Sequence, residues 1–231
     1  MILGAGGMRG IETGIPHLEL WLADADAWPD EADEGLSDDE RERAARFVFE
    51  RDRRRYRVAH RFLRRLLARY APAAATLPFR IGPHGRPSLA TPDALDFNMS
   101  HSDRWVLVGM GRDVQWGVDV EAVRAMDDLD ALAAQNFTPA EQDELASVAP
   151  ANRLRAFLSG WTRKEACLKA LGTGLTVPAD RVDAGLGPQP RRVAVRLSAG
   201  TALAEVHSLQ LGEDMLAAVA RLIDATSVEL R

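Results

Sequence analysis

The sequence predicts an α+β protein made of two similar α/β halves related by pseudo-twofold symmetry. Two capping-box signatures, Ser37-Asp-Asp-Glu40 and Thr138-Pro-Ala-Glu141, stand 101 residues apart. Each follows a strand-like stretch, and each precedes a long helical pattern and then further strand patterns. The repetition of that order is what suggests a duplication.

In the N-terminal half, residues 15–112, His17-Leu-Glu-Leu-Trp-Leu-Ala23 alternates as a half-buried strand does. Residues 1–14 read as a flexible, Gly-rich leader without the basic start and apolar stretch of a signal peptide. Ser37 should open a helix. From Asp52 to Tyr70, the residues Val58, Phe62, Leu63, Leu66, Leu67 and Tyr70 recur at helical spacing, with arginines on the opposite face. Pro72 closes that helix. Short strands are expected at Phe79–Ile81, Leu95–Met99 and Trp105–Met110. In the C-terminal half, residues 113–231, Gln115–Val120 reads as a strand. Thr138 opens a helix with Pro139 at the favoured first position. A long helix should run from about Asn152 to Leu171 and stop at Gly172. Strands are expected at Val193–Leu197, Glu205–Leu211 and Leu216–Leu222. The seam near Gly111–Gln115 would be a natural ligand cleft.

Of the 231 residues, 46% are hydrophobic and 27% charged, the balance of an ordinary soluble globular protein. No run approaches the roughly 18 apolar residues of a membrane span. The single cysteine, Cys167, excludes an internal disulfide and a cysteine-rich zinc site, which favours a cytoplasmic location. The net charge of −5 hides an uneven distribution: Arg41–Tyr70 holds twelve arginines against three acids, and Asp113–Pro150 holds nine acids against Arg124 alone. The basic stretch suits an anionic ligand, an acidic partner, nucleic acid or simply a solvated helix face. Nucleic acid is disfavoured by the negative net charge and the lack of a recognised binding signature.

Three segments carry candidate chemistry. In Trp116-Gly-Val-Asp-Val-Glu121, Asp119 and Glu121 lie two apart on a strand and project to one face, where a hard divalent cation would relieve their repulsion. A strand end entering an acidic loop would look the same. In Trp161-Thr-Arg-Lys-Glu-Ala-Cys-Leu-Lys169, Trp161, Glu165 and Lys169 stand four apart on one helical face. This could equally be a surface Glu–Lys pair beside a buried tryptophan. Together the three carboxylates and the lysine suit a Mg²⁺–diphosphate site. In Phe97-Asn-Met-Ser-His-Ser-Asp-Arg-Trp105, the residues Asn98, Ser100 and His101 group polar side chains beside a turn, suited to an anion contact. No nucleophile elbow accompanies His101. Gly82-Pro-His-Gly-Arg-Pro87 is a turn presenting Arg86.

The order of these segments resembles the Sfp-type 4'-phosphopantetheinyl transferase family across almost the whole chain. The family signature is G-[IV]-D-x-E followed by W-x-x-K-E-x-x-x-K. Here Gly117-Val-Asp-Val-Glu121 precedes Trp161–Lys169, with 46 residues from Asp119 to Glu165. Arg46-Phe-Val-Phe-Glu-Arg-Asp52, Gly85-Arg-Pro87, Asn98-Met-Ser-His101 and Gly172-Thr-Gly-Leu175 match supporting motifs. The resemblance implies Mg²⁺-dependent transfer of phosphopantetheine from coenzyme A to a serine of an apo acyl or peptidyl carrier protein, releasing 3',5'-ADP. It implies metal ligation by Asp119, Glu121 and Glu165. Coenzyme contacts fall to Arg43, Arg86, Asn98, Ser100, His101 and Lys169. Glu165, or alternatively Glu121, would be the base, and Lys169 would stabilise the leaving group. It also implies a two-half fold with the coenzyme between the halves. A cytoplasmic monomer without nucleic-acid or membrane partners is expected. The chain departs from some relatives at Glu40, in a stretch where they carry a lysine.

Overall fold

The computed structural model describes residues 3–4, 7–29, 34–91, 95–198 and 200–224, and the chain is a mixed α and β protein. The first half runs β1 (Leu3–Gly4), β2 (Met8–Ile11), β3 (Leu18–Asp24), α1 (Asp38–Ala45), α2 (Glu50–Tyr70), β4 (Arg80–Ile81), β5 (Pro87–Ser88), β6 (Leu95–Ser102) and β7 (Trp105–Arg112). The second runs β8 (Trp116–Ala122), α3 (Leu129–Asn136), α4 (Pro139–Ser147), α5 (Arg153–Leu171), β9 (Arg191–Leu197), β10 (Gly200–Leu209) and β11 (Met215–Asp224). One sheet has the order β1-β2-β3-β7-β6 and the other β8-β11-β10-β9, with every pairing antiparallel. In each, the strand before the helices pairs with the last strand of its half: β3 with β7, and β8 with β11.

Strand alternation sorts the side chains into layers. In β3, Trp21 and Ala23 join a core with Val58, Phe62, Leu63, Leu66 and Leu67 of α2. Leu20 and Leu22 point the other way and meet Trp116, Val118, Val120 and Val219 of the second sheet. The outer face of that sheet, including Ala218, Ala220, Val193 and Val195, packs on Ala166, Ala170 and Leu171 of α5. The two sheets therefore face each other, with α2 outside one and α5 outside the other.

Both capping boxes form. Ser37 Oγ accepts from Glu40 N at 3.3 Å while Glu40 Oε2 accepts from Ser37 N at 2.8 Å. Thr138 Oγ1 accepts from Glu141 N at 3.3 Å while Glu141 Oε2 accepts from Thr138 N at 2.9 Å. Each box glutamate is also buried against a cation of its own half's long helix, Glu40 on Arg64 at 3.1 Å and Glu141 on Lys164 at 2.5 Å. The helix α5 ends as expected, with Gly172 in the left-handed region at φ 66°.

Two expectations need correction, and one helix was unforeseen. The arginines of α2 are not simply a solvated face. Arg54 donates to the carbonyls of Ala25 and Trp28, Arg55 holds Asp26 and Asp103, and buried Arg64 binds Glu40 and the carbonyls of Ala75 and Leu77. Their guanidinium heads find fixed acceptors in the protein. The leader expected over 1–14 is in part a strand, since Met8–Ile11 pairs with Leu20–Ala23; residues 1, 2, 5 and 6 lie outside the described residues. Short α3 was not anticipated, its eight residues being too few to show a period.

Candidate active site

The two halves meet where β6 lies against the free edge of β8. Side chains of β6 supply acceptors for the backbone of that edge: Asp96 Oδ2 takes Trp116 N at 2.8 Å, Asn98 Oδ1 takes Val118 N at 2.8 Å, and Ser102 Oγ takes Ala122 N at 3.2 Å. Between them Ser100 Oγ donates to Asp119 Oδ1 at 2.7 Å. Residues 96, 98, 100 and 102 thus share the face toward β8, as the strand period requires. Phe97 and Met99 face the α2 core. His101 follows them, and His60 and Arg43 are among the groups acting on its ring.

On its other side β8 rests directly on α5. A Cβ at Gly117 would stand 2.1 Å from Ala166 O and 2.3 Å from Ala170 N, so only glycine permits this approach. The contact brings the strand carboxylates beside Glu165 and Lys169. Lys169 Nζ lies 2.6 Å from Asp119 Oδ1 and 3.1 Å from Ser100 Oγ. Ser102 Oγ donates to Glu121 Oε2 at 2.5 Å.

The electrostatics report the crowding of negative charge. Burial pushes the Glu165 carboxyl up; Lys169 opposes this, and Asp119 and Glu121 add to it. Burial also raises Glu121, against the Ser102 hydrogen bond and with Asp119 reinforcing the rise. His101 is pushed down by its protein surroundings, by His60 and by Lys169, which together outweigh the attraction of Asp119. Among the described residues, no group of three or more His, Cys, Asp or Glu side chains stands ready to hold a metal ion. The donor set nevertheless fits a hard cation. Asp119 is 3% exposed, and its Oδ2 is buried without a hydrogen-bond partner, as an oxygen waiting for a ligand would be.

The structure brings Asp119, Glu121, Glu165, Lys169 and Ser100 together, with His101 and exposed Arg43 toward α2. Arg86 reaches the same region from the β4–β5 turn but is bound inward. It donates to the Lys169 carbonyl, to Asp96 Oδ2 at 2.6 Å and to Trp116 O at 2.8 Å. Asn98 likewise uses its amide oxygen at the seam. Sequence reading missed Ser102, Asp96 and Lys164. The first two continue the two-residue period of Asn98 and Ser100, a signal that was available. Lys164 is 0% exposed and ties Glu141 to the Ala179 and Val182 carbonyls, so this signature lysine braces the helix. Two recesses flank Trp161. One of about 180 Å³ runs past Glu121, Met126, Leu132 and Phe157, and one of about 300 Å³ past Glu165, Leu168 and Pro178.

Comparison with known proteins agrees with this geometry. Residues 115–220 match the model of the 4'-phosphopantetheinyl transferase superfamily, and residues 19–111 match that of the 4'-phosphopantetheinyl transferase N-terminal region. A putative 4'-phosphopantetheinyl transferase of Synechocystis sp. is 31% identical over 166 residues, 70% of this chain and 68% of the relative. The 4'-phosphopantetheinyl transferase HetI of Nostoc sp. is 36% identical over 144 residues, 61% of each chain. The 4'-phosphopantetheinyl transferase Sfp of Bacillus subtilis is 29% identical over 147 residues, 63% of this chain and 64% of the relative. The matched stretch thus spans a little under two thirds of HetI and Sfp. With both halves matched in order and the signature residues gathered at one contact, the chain belongs to the 4'-phosphopantetheinyl transferase family.

Proposed function

We propose that the protein transfers the 4'-phosphopantetheine group of coenzyme A to a serine of an apo acyl or peptidyl carrier protein and releases 3',5'-ADP. The observation that carries this reading is the meeting of Asp119, Glu121, Glu165 and Lys169 where β8 lies on α5, with an unpartnered buried Asp119 oxygen. Asp119, Glu121 and Glu165 would hold Mg²⁺, whose chemistry when bound is neutralisation of the diphosphate charge. Glu165, raised by burial, accepts the serine proton, with Glu121 as the alternative. The serine oxygen bonds to the phosphorus bearing the pantetheine arm, and the bond from that phosphorus to the bridging oxygen breaks. Lys169 stabilises or protonates the departing 3',5'-ADP. Ser100 positions Lys169 and Asp119 for this. Arg43 and His101 bind the nucleotide end, and Arg86 and Asn98 act on the coenzyme from their anchored places at the seam.

We also read the two halves, divided near residue 113, as related by pseudo-twofold symmetry. The support is the matching order of elements and the paired box glutamates, each buried on a cation of its own long helix. A cytoplasmic monomer without nucleic-acid or membrane partners accompanies this reading. Among the described residues, no helix is long and apolar enough to cross a membrane.

The test is labelling of a panel of apo carriers, from fatty-acid, polyketide and nonribosomal peptide pathways, with a fluorescent coenzyme A analogue. Labelling should require Mg²⁺ and fall about a hundredfold or more in Asp119→Ala. Failure with every carrier, or Asp119→Ala labelling like wild type, rejects the proposal.

A further inference from the structure

A third recess, of about 340 Å³, lies at Arg163 on α5, away from the signature carboxylates, and the reaction above has no use for it. Glu144, Arg163, Gly185, Gly187, Gln189 and Arg191 are among its lining residues. Arg163 is 1% exposed, yet among the described residues its guanidinium donates to neutral acceptors, Ala184 O from Nε at 2.8 Å and Ser208 Oγ from one terminal nitrogen at 3.0 Å. Among the described residues it forms no ion pair with a carboxylate. The contrast with its neighbour is sharp: buried Lys164 has Glu141 at 2.5 Å. A buried cation without a counter-charge is costly, and the penalty falls when an anion reaches it. The acids that act on Arg163 are not seated on it. Glu141 is committed to Lys164, and Glu144 is exposed at the recess. A second cation stands at the same opening. Arg191 pairs with Asp183 at 2.5 Å, and its other terminal nitrogen passes so close to Gly185 that a Cβ there would lie 2.7 Å away.

We propose that this recess is an anion-binding site for a small oxyanion, a phosphate or carboxylate group. Arg163 offers its remaining N–H donors at the base, Arg191 adds positive charge at the mouth, and Gln189 adds an amide. Glu144 is the one lining carboxylate and opposes an incoming anion. Two exposed side chains of opposite charge therefore act on the site in opposite directions, and neither belongs to the core.

The test follows the Arg163 Nε–H resonance in ¹⁵N NMR spectra of the full chain during titration with inorganic phosphate and, separately, with succinate. A saturable shift at millimolar concentrations is expected, and a response to one anion alone supports the site and identifies the group. Arg191→Ser should weaken binding about tenfold and Glu144→Gln should tighten it several-fold. The phosphate-dependent rise in melting temperature should change in the same two directions. Arg163→Met, which lacks the reporting N–H, should lose the phosphate-dependent rise in melting temperature, and the two surface variants keep the question answerable if that variant does not fold. A resonance that does not move with either anion, or an affinity indifferent to both surface variants, overturns the proposal.

Discussion

Glu40 shows how one side chain can do work that its sequence position only half announces. As the third helical residue after Ser37 it is legible as a capping-box partner, because that relation spans three residues. Its pairing with His60 and Arg64 depends on α1 crossing α2 and was not legible. Burial raises its carboxyl, but the hydrogen bonds from His60, the Ser37 backbone and Arg64, with the Arg64 charge, overcome this and hold it at about 2 against 4.5 in the free side chain. A depressed carboxylate stabilises the fold above its unfolded pKa and loses that contribution as pH falls through the folded one. The contribution is on the order of 3 kcal/mol, lost between about pH 4.5 and 2. Urea denaturation should find Glu40→Gln less stable than wild type by at least that amount at pH 7, with the gap closing below pH 4.5. A gap independent of pH would show that the carboxylate charge is not what matters. Cys167 is a simpler case. Burial raises its thiol to about 12, so thiol reagents should modify it only on unfolding, which a time course of labelling against urea concentration would show.

Among the elements, β8 and α5 decide whether there is a site at all. The strand's two-residue period and the helix's four-residue spacing were enough to place Asp119 with Glu121 and Glu165 with Lys169. Neither period says that the two elements touch. The touching depends on Gly117, whose missing side chain lets the strand lie on the backbone of α5. In Gly117→Ala the added Cβ meets backbone, which cannot rotate away as a side chain could. The expected cost is about 1–3 kcal/mol of stability. Catalysis should suffer as well, by about a hundredfold in kcat/KM, because α5 carries Glu165 and Lys169 away from Asp119. Steady-state kinetics and a melting curve on the same variant check both. Unchanged kcat/KM in a folded variant would mean that the spacing of β8 and α5 does not matter to the reaction.

Across its middle the whole molecule is joined by the apolar layer between the sheets and, beside it, by the polar side chains of β6 on the backbone of β8. Asn98→Ala would leave Val118 N–H buried without an acceptor, at a cost of about 2 kcal/mol and a fall in melting temperature of about 4–8 °C. Coenzyme A affinity, measured by calorimetry, separates this role from coenzyme contact: lost affinity at unchanged stability would show that Asn98 acts on the ligand and that its seam bond contributes nothing measurable. A linear reading finds what lies within a turn or two of chain: most of the strands and helices but not β2 or α3, both capping boxes, the Gly172 stop, and the signature carboxylates and lysine. Those depend on spacings of two to four residues, which are visible in any linear reading. That β3 joins β7 and β8 joins β11 emerges only once the layers pack. Packing also turned Arg54, Arg55 and Arg64 of α2 to fixed acceptors, made Lys164 a brace, and put Asn98 and Arg86 into the seam. Those outcomes rest on contacts between residues tens of positions apart, selected by which buried polar groups find partners once the layers have packed.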